Sequence, residues 1–187
     1  MFLNYHKPEK GKLLIANPFL PDPNFMRSVI LLTEYGENGS VGYVLNKPLK
    51  VKLSDAVTAF ENVDAPLFYG GPVQKDTLHF IHNLGGVISG GTEVLEGVFW
   101  SGNYETLNIL AKNGDLEPDQ LKFFAGYSGW GVGQLDKELE ENTWIISEAD
   151  HEIIFCNDPE KLWQLSLRKM GGRFAEISNY PQNPRLN

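Results

Sequence analysis

The amino-acid sequence predicts an α+β fold, in which a single domain carries a mixed, bent or barrel-like β-sheet surrounded by helices. Short apolar runs typical of strands alternate with amphipathic stretches typical of helices, but at irregular spacing. A doubly wound sheet would require regular strand–helix–strand units, so this irregularity favours the α+β class. The 187 residues suffice for one core that is stable without a disulfide or a metal. We predict an N-terminal arm at residues 1–11, one domain at 12–178 and a C-terminal tail at 179–187.

The strands are predicted from short runs rich in apolar and β-branched residues. The clearest is a β-hairpin over residues 27–47, whose strands flank a Gly-rich turn at 36–40. Gly85-Gly86 and Gly90-Gly91 bracket a short apolar run and suggest a second hairpin, with residues 93–102 as its neighbour. The remaining predicted strands cover residues 13–17, 66–69, 77–84, 121–128 and 143–147.

The helices are predicted from their capping residues and apolar faces. Ser54 is a candidate N-cap for a short helix, and Asn103 caps a longer one that ends at Gly114. Asp158 is the expected N-cap of the C-terminal helix, with Pro159 in its first turn. The predicted helices cover residues 54–60, 104–114, 134–142 and 159–170.

Composition and charge exclude several classes of protein. The contents of 42% hydrophobic and 21% charged residues are those of an ordinary globular protein, and no apolar run reaches the length of a spanning helix. The net charge of −8 argues against a surface that follows nucleic-acid phosphates. Cys156 is the only cysteine, which excludes an internal disulfide and fits a reducing compartment. The N-terminus lacks the pattern of a signal peptide, so we expect a cytoplasmic protein without membrane contact.

The most unusual stretch is residues 123–139, where four glycines surround Trp130. Such a stretch can form an architectural corner packed on a buried indole. It also resembles the Gly-x-Ser-x-Gly turn of serine hydrolases, with Ser128 as the nucleophile. However, Trp130 occupies a position that requires a small residue, and the next helix is expected only at about Gln134. Asp150 and His151, the following acid and base, are sequence neighbours and poorly placed to act as a relay.

Metal and DNA sites are also weakly indicated. His79 and His82 have metal-ligand spacing, but on a strand they point to opposite sides, and no third ligand accompanies them. Residues 149–169 have the spacing of a helix-turn-helix, but the second helix begins with Asp158 and Glu160, which disfavour contact with DNA. We predict neither a metal nor a cofactor.

Three separated motifs carry a family resemblance: LLIANPFLPDPNFMRSVILLTEYGENGSVGYVLNKP (13–48), YGGPV (69–73) and GYSGWGVGQLDKEL (126–139). Together with TWIIS and DPEKLW, they resemble the AlgH/YqgE family of bacterial proteins over roughly residues 10–175. The resemblance implies a compact α+β fold with a small barrel-like or bifurcated sheet, and it implies little about activity. Asn17 stands where the family usually has Met, and Tyr35 where a His often follows Glu34. If that His has a chemical role, this chain lacks it.

The leading hypothesis is a non-enzymatic cytosolic binding or regulatory module whose partner is an unknown small molecule or protein. Its binding cleft would join the motifs through Asp22, Arg27, Ser28, Asn46, Lys47, Ser128, Trp130 and Gln134. Arg27 would hold an acidic group and Trp130 would stack on the ligand. The same side chains could instead make hydrogen bonds within their own loops. The alternative functions are a serine-dependent hydrolase using Ser128 and a DNA-binding transcriptional regulator.

Overall fold

The computed structural model describes residues 6–61, 63–117 and 119–181. These residues form ten β-strands, six α-helices and two 3₁₀ segments. The strands are β1 (Lys12–Ala16), β2 (Val29–Gly36), β3 (Gly39–Val44), β4 (Pro48–Lys52), β5 (Pro66–Tyr69), β6 (Val73–His82), β7 (Thr92–Leu95), β8 (Val98–Trp100), β9 (Leu121–Trp130) and β10 (Trp144–Glu148). The helices are α1 (Leu53–Ala56), α2 (Tyr104–Asn113), α3 (Gln134–Glu140), α4 (His151–Ile154), α5 (Leu162–Met170) and α6 (Gly172–Ile177), and the 3₁₀ segments are Thr58–Phe60 and Pro159–Lys161.

All ten strands join one mixed sheet, which confirms the predicted fold class. Eight of them lie in the order β10-β1-β2-β3-β9-β6-β8-β7, and β5 attaches β4 to β9. The pairing of β5 with β9 is parallel, whereas the other pairings are antiparallel. The two ends of the row, β10 and β7, do not pair with each other, so the sheet is open rather than a closed barrel.

Strand β9 lies at the branch point of this sheet. Its first half, Leu121–Ala125, pairs with β6 and partly with β5, whereas Ser128–Trp130 pairs with β3. The change of partner occurs around Gly126, whose φ of +69° is strained for any residue with a side chain. A Cβ atom at Gly126 would lie 2.6 Å from the carbonyl oxygen of Val73. The glycine stretch is therefore the architectural corner that the sequence suggested.

Both faces of the central strands are buried, which explains their continuous apolar runs. In β1, Leu13 and Ile15 belong to a core covered by α4, α5 and α6, whereas Leu14 and Ala16 belong to a second core on the opposite face. The second core also contains Trp130 and is covered by α3. A third cluster packs α2 against β5, β6 and β9.

The capping prediction for α2 is confirmed. The backbone N–H of Thr106 donates to Asn103 Oδ1 at 2.8 Å, and Gly114 ends the helix with a φ of 76°. Both signals lie within one turn of their helix end, so local sequence suffices to place them.

Ser54, in contrast, does not cap α1. The helix begins at Leu53 after Lys52, which makes no side-chain capping bond. Leu53 is fully buried and its N–H donates to Ala65 O, so core packing moves the helix start by one residue.

The second hairpin was predicted in the wrong place. Residues 83–91 form turns, and the hairpin is β7 with β8, around Glu96 and Gly97. Ile88, expected on a strand, is buried in the cluster around α2. Ile88 therefore packs in the core from a turn and not from a strand.

The C-terminal region also departs from expectation. Asp158 makes no side-chain capping bond and pairs with Lys161 at 2.6 Å, while Pro159 opens a 3₁₀ segment before α5. Helix α6, after Gly171, and the exposed strand β4 were not predicted. Strand β6 begins at Val73, four residues before its predicted start.

Residues 1–5 of the predicted arm and 182–187 of the predicted tail lie outside the described residues, and the domain bounds stay a prediction. No helix in the described ranges is long and apolar enough to cross a bilayer.

Candidate functional site

The proline-rich loop between β1 and β2 is held by side chains that the sequence had assigned to a site. Asp22 Oδ1 accepts the N–H of Asn24 at 2.8 Å, which closes a tight turn. The ammonium group of Lys47 donates to Asn24 O at 2.7 Å and to Pro23 O at 3.1 Å. Tyr69 donates its hydroxyl to Asn24 Oδ1 at 3.0 Å. Asp22 and Lys47 therefore both stabilise this loop.

Arg27 ends the loop in a left-handed conformation, with a φ of 52°. Asn46 fixes the backbone there, because its Nδ2 donates to Arg27 O at 2.8 Å and its Oδ1 accepts the N–H of Val29 at 2.9 Å. The guanidinium group lies 4.4 Å above the ring of Trp163 on α5 and donates to Tyr180 O. Stacking and the carbonyl contact hold Arg27 in one orientation before any ligand binds.

A cavity of about 350 Å³ opens beside this arginine. It is lined by Met26, Arg27, Asn46, Lys47, Glu160, Trp163 and Gln164. The first four residues come from the loop and the end of the β2–β3 hairpin, and the last three from the start of the α5 region. The cavity thus joins the N-terminal motif to the C-terminal helix.

The charged groups that line the cavity are two cations, Arg27 and Lys47, and the carboxylate of Glu160. Burial lowers the pKa of the Arg27 guanidinium and the pKa of the Lys47 ammonium, while the Asp22 carboxylate acts in the opposite sense on Lys47. Across residues 6–61, 63–117 and 119–181, neither cation lies within 4.0 Å of a carboxylate oxygen, and their hydrogen bonds go to carbonyl groups. Carbonyl groups solvate these two charges but do not neutralise them, so the lining carries more positive than negative charge.

The other predicted site residues lie elsewhere. Ser28 is fully buried, and its Oγ makes no hydrogen bond within the part of the chain that the structure describes. Ser128 is also fully buried and donates its hydroxyl to Gly70 O at 3.0 Å. A nucleophilic serine needs access to substrate and a basic partner, and Ser128 has a backbone carbonyl in that position. The geometry therefore gives the hydrolase hypothesis no support.

Trp130 faces the second core and not the cavity. It is 6% exposed, stacks with Phe25 at a centroid distance of 6.5 Å and meets Trp144 edge-on at 6.0 Å. Gln134 bridges the stretch to the helix, since its Oε1 accepts the N–H of Gly131 at 3.0 Å and its Nε2 donates to Glu138 Oε1 at 2.9 Å. The side chains of Trp130 and Gln134 therefore make contacts that stabilise the fold and do not contribute to the cavity.

Two residues that line the cavity, Trp163 and Glu160, were not predicted as site residues. Both fall within the helix predicted at residues 159–170, and neither was assigned to the binding cleft. No local signal shows that Trp163 contacts Arg27 or that Glu160 lines the same cavity, because about 130 residues separate them from Arg27 in the chain. Outside the cavity, Glu138 was also assigned no role in the sequence analysis, and it accepts hydrogen bonds from the indoles of Trp130 and Trp144.

The residues that depart from the family pattern also make structural contacts. Asn17 donates its Nδ2 to Asn142 O at 2.9 Å, and Tyr35 donates its hydroxyl to Asp136 Oδ1 at 2.7 Å. Neither residue lines the cavity.

The histidines and the helix-turn-helix candidate form no recognisable site. His79 Nε2 is 2.8 Å from Thr77 Oγ1, whereas His82 Nε2 is 2.9 Å from Ser101 O. Among the described residues, no group of three or more His, Cys, Asp or Glu side chains is placed to hold a metal ion. The first helix of the DNA-binding candidate, α4, has only four residues, and Ile153 and Ile154 anchor it in the main core.

Comparison with known proteins places these features in a family. The family model described as AlgH-like matches residues 13–175. A UPF0301 protein of Chlorobium limicola is 43% identical over 187 residues, covering 100% of both chains, and one of Chlorobaculum tepidum is 44% identical over 177 residues, covering 95% of both.

Two solved structures share the fold. The AlgH protein of Pseudomonas aeruginosa has a TM-score of 0.71 and 28% identity, covering 92% of this chain and 94% of that one. A protein of Corynebacterium diphtheriae has a TM-score of 0.74 at 21% identity, with 94% of each chain covered, and shows the likeness of the fold alone. The match to the AlgH-like model, together with these relatives, shows that the chain belongs to the AlgH-like family.

Proposed function

We propose that the protein is a non-enzymatic binding module that holds a small anion in the cavity beside Arg27. The observation that carries this proposal is the pair of cations, Arg27 and Lys47, that face one cavity without a carboxylate partner among the described residues. A volume of about 350 Å³ lies within the range of small-molecule sites. A bound carboxylate or phosphate would offset the cost of holding both charges away from bulk water.

The groups that line the cavity can form hydrogen bonds with an anionic ligand. The guanidinium plane of Arg27 presents paired donors, and Asn46 and Gln164 bring amide groups to the same space. Glu160 also lines the cavity and favours ligands that carry an amino or hydroxyl group beside the anionic one. Of the eight residues in the sequence hypothesis, Arg27, Asn46 and Lys47 line the cavity, and Asp22 supports the loop that precedes Arg27.

A cytoplasmic location and a regulatory role belong to the same proposal. The half-buried free thiol of Cys156 and the net charge of −8 support a reducing compartment and a small-molecule or protein partner rather than nucleic acid.

The proposal is tested by thermal unfolding in low salt with inorganic phosphate, malate or citrate. A ligand at about 100 times its dissociation constant stabilises the folded state by about 2.7 kcal/mol, so Tm rises. We expect Arg27→Gln and Lys47→Gln to abolish the rise. Lys137→Gln is the matched control, because Lys137 is 75% exposed on α3 and does not line the cavity. An equal rise in the wild type and in the Arg27 variant would overturn the proposal.

A further inference from the structure

An exposed apolar surface continues from the mouth of the cavity. Phe19 is 62% exposed and Tyr180 is 41% exposed, and their ring centroids lie 5.8 Å apart. Arg27 links this pair to the cavity, because its guanidinium group donates to the backbone carbonyl of Tyr180. Met26, which is 42% exposed, lines the cavity itself. Phe19, Tyr180 and Met26 are called here the apolar rim.

The apolar rim brings large exposed side chains together beside a cavity that is lined by charged groups. Single exposed hydrophobic residues are common, but clustered ones mark binding surfaces. Phe19 and Tyr180 are separated by 161 positions in the sequence and meet only through the fold. Methionine side chains adapt to ligands of different shape, so Met26 suits a surface that accepts an alkyl chain.

From this arrangement we propose that the ligand is an amphiphilic anion, whose charged head lies between Arg27 and Lys47 and whose apolar tail lies on the rim. This inference rests on the proposed function and specifies the class of ligand. The cations neutralise the head, and the tail covers surface that is now in contact with water. We assign a single dissolved molecule rather than a membrane, because a chain with a net charge of −8 is repelled by an anionic lipid surface.

The test is calorimetric titration of the full chain with inorganic phosphate and with methyl, butyl, hexyl and octyl phosphate, all below their micellar concentrations. A fully buried methylene group contributes about 0.8 kcal/mol, which is about fourfold in affinity. On an open rim we expect a smaller step, with a total gain of about tenfold or more from methyl to hexyl phosphate.

Two variants test whether the apolar tail of the ligand lies on the apolar rim. Phe19→Ser is expected to remove most of the gain with chain length. Val132→Ser is the matched control, because Val132 is 75% exposed at a loop tip and belongs neither to the rim nor to the cavity lining. The control variant should reproduce the whole wild-type series.

The outcomes separate the two proposals. If inorganic phosphate binds but affinity is independent of chain length, the amphiphile is excluded and the anion site stands. If no phosphate binds and neither malate nor citrate raises Tm, the proposed function fails as well. Sedimentation of the protein with vesicles of anionic phospholipid, together with no gain from dissolved alkyl phosphates, would assign the rim to a membrane and overturn the inference.

Discussion

The indole N–H of Trp130 donates to Glu138 Oε2 at 2.9 Å, and that oxygen also accepts the indole N–H of Trp144 at 2.8 Å. One carboxylate on α3 thus satisfies two tryptophans that are buried in the second core. Gln134 Nε2 donates to the other oxygen of Glu138, and Gln134 Oε1 accepts the N–H of Gly131 in the glycine stretch. The glycine stretch is therefore locked to α3 by charge-assisted hydrogen bonds.

Glu138→Ala is expected to destabilise the protein by about 2–3 kcal/mol, because it removes the carboxylate that accepts hydrogen bonds from two buried indoles. Urea unfolding followed by tryptophan fluorescence measures this loss. Glu138→Gln, which keeps an oxygen acceptor, should lose less than half as much. Glu140→Ala on the same helix is exposed and should change the free energy of unfolding by less than about 0.5 kcal/mol. Equal effects at both positions would contradict the shared-acceptor role.

Gly126→Ala is expected to cost about 2–5 kcal/mol, because a Cβ there meets Val73 O at 2.6 Å and φ is +69°. Gly133 provides a close control, since its φ is +70° and no atom lies within 4 Å of the added Cβ. Gly133→Ala should therefore cost only the conformational strain, about 1 kcal/mol. Denaturant unfolding of both variants separates the steric contribution from the conformational one.

Lys122 should make stability depend on pH. Lys122 is 5% exposed, and its ammonium group donates to Leu45 O at 3.2 Å and lies 4.5 Å from the centroid of the Phe68 ring. Burial lowers the pKa of this group from 10.5 to about 8. Between these values the folded chain binds fewer protons than the unfolded chain, so the free energy of unfolding rises with pH, by about 3 kcal/mol in full. The gain is complete above pH 10.5 and is lost as the pH falls through about 8.

Lys122→Met removes this contribution, and at pH 7 it should be neutral or stabilising because an apolar side chain replaces a buried charge. The free energy of unfolding is measured for both proteins from pH 7 to 9.5. In the difference between them, the contributions of the exposed lysines that both proteins contain cancel. Parallel stability profiles would show that Lys122 does not titrate in this range.

Asn46→Ala is expected to lower stability by about 1–3 kcal/mol, because Arg27 O and the N–H of Val29 both lose a partner. The loop that carries Arg27 should also loosen, so phosphate affinity in calorimetry should fall. Asn157→Ala, at an exposed position that does not line the cavity, is the control and should leave both quantities unchanged. Lower stability with unchanged phosphate affinity would remove Asn46 from the site.

Ser128 should not react with a fluorophosphonate probe in the folded protein, because its hydroxyl is fully buried and donates to Gly70 O. Mass spectrometry of the treated wild type and of Ser128→Ala measures this directly. Labelling of the wild type alone would reinstate the hydrolase hypothesis. Ser128→Ala should cost only about 1 kcal/mol, since Gly70 O keeps the N–H of Val44 as a donor.

The sequence by itself determined features that depend on neighbouring residues. The β2–β3 hairpin follows from its turn, and the ends of α2 follow from Asn103 and Gly114. The continuous apolar run of β1 indicated a buried strand. The AlgH-like motifs identified the family, and the irregular alternation of elements indicated the α+β class.

Only the tertiary structure decided which distant residues meet. The corner at Gly126 was recognisable from its glycines, but its contact with Val73 depends on how β6 and β9 pair. Trp130 was a candidate ligand platform in the sequence, yet it packs into a core, while Trp163 supports Arg27 at the cavity. Composition and spacing report burial and local geometry, whereas a site depends on contacts between segments far apart in the chain. Those contacts are set by the order of the strands, which no local pattern encodes.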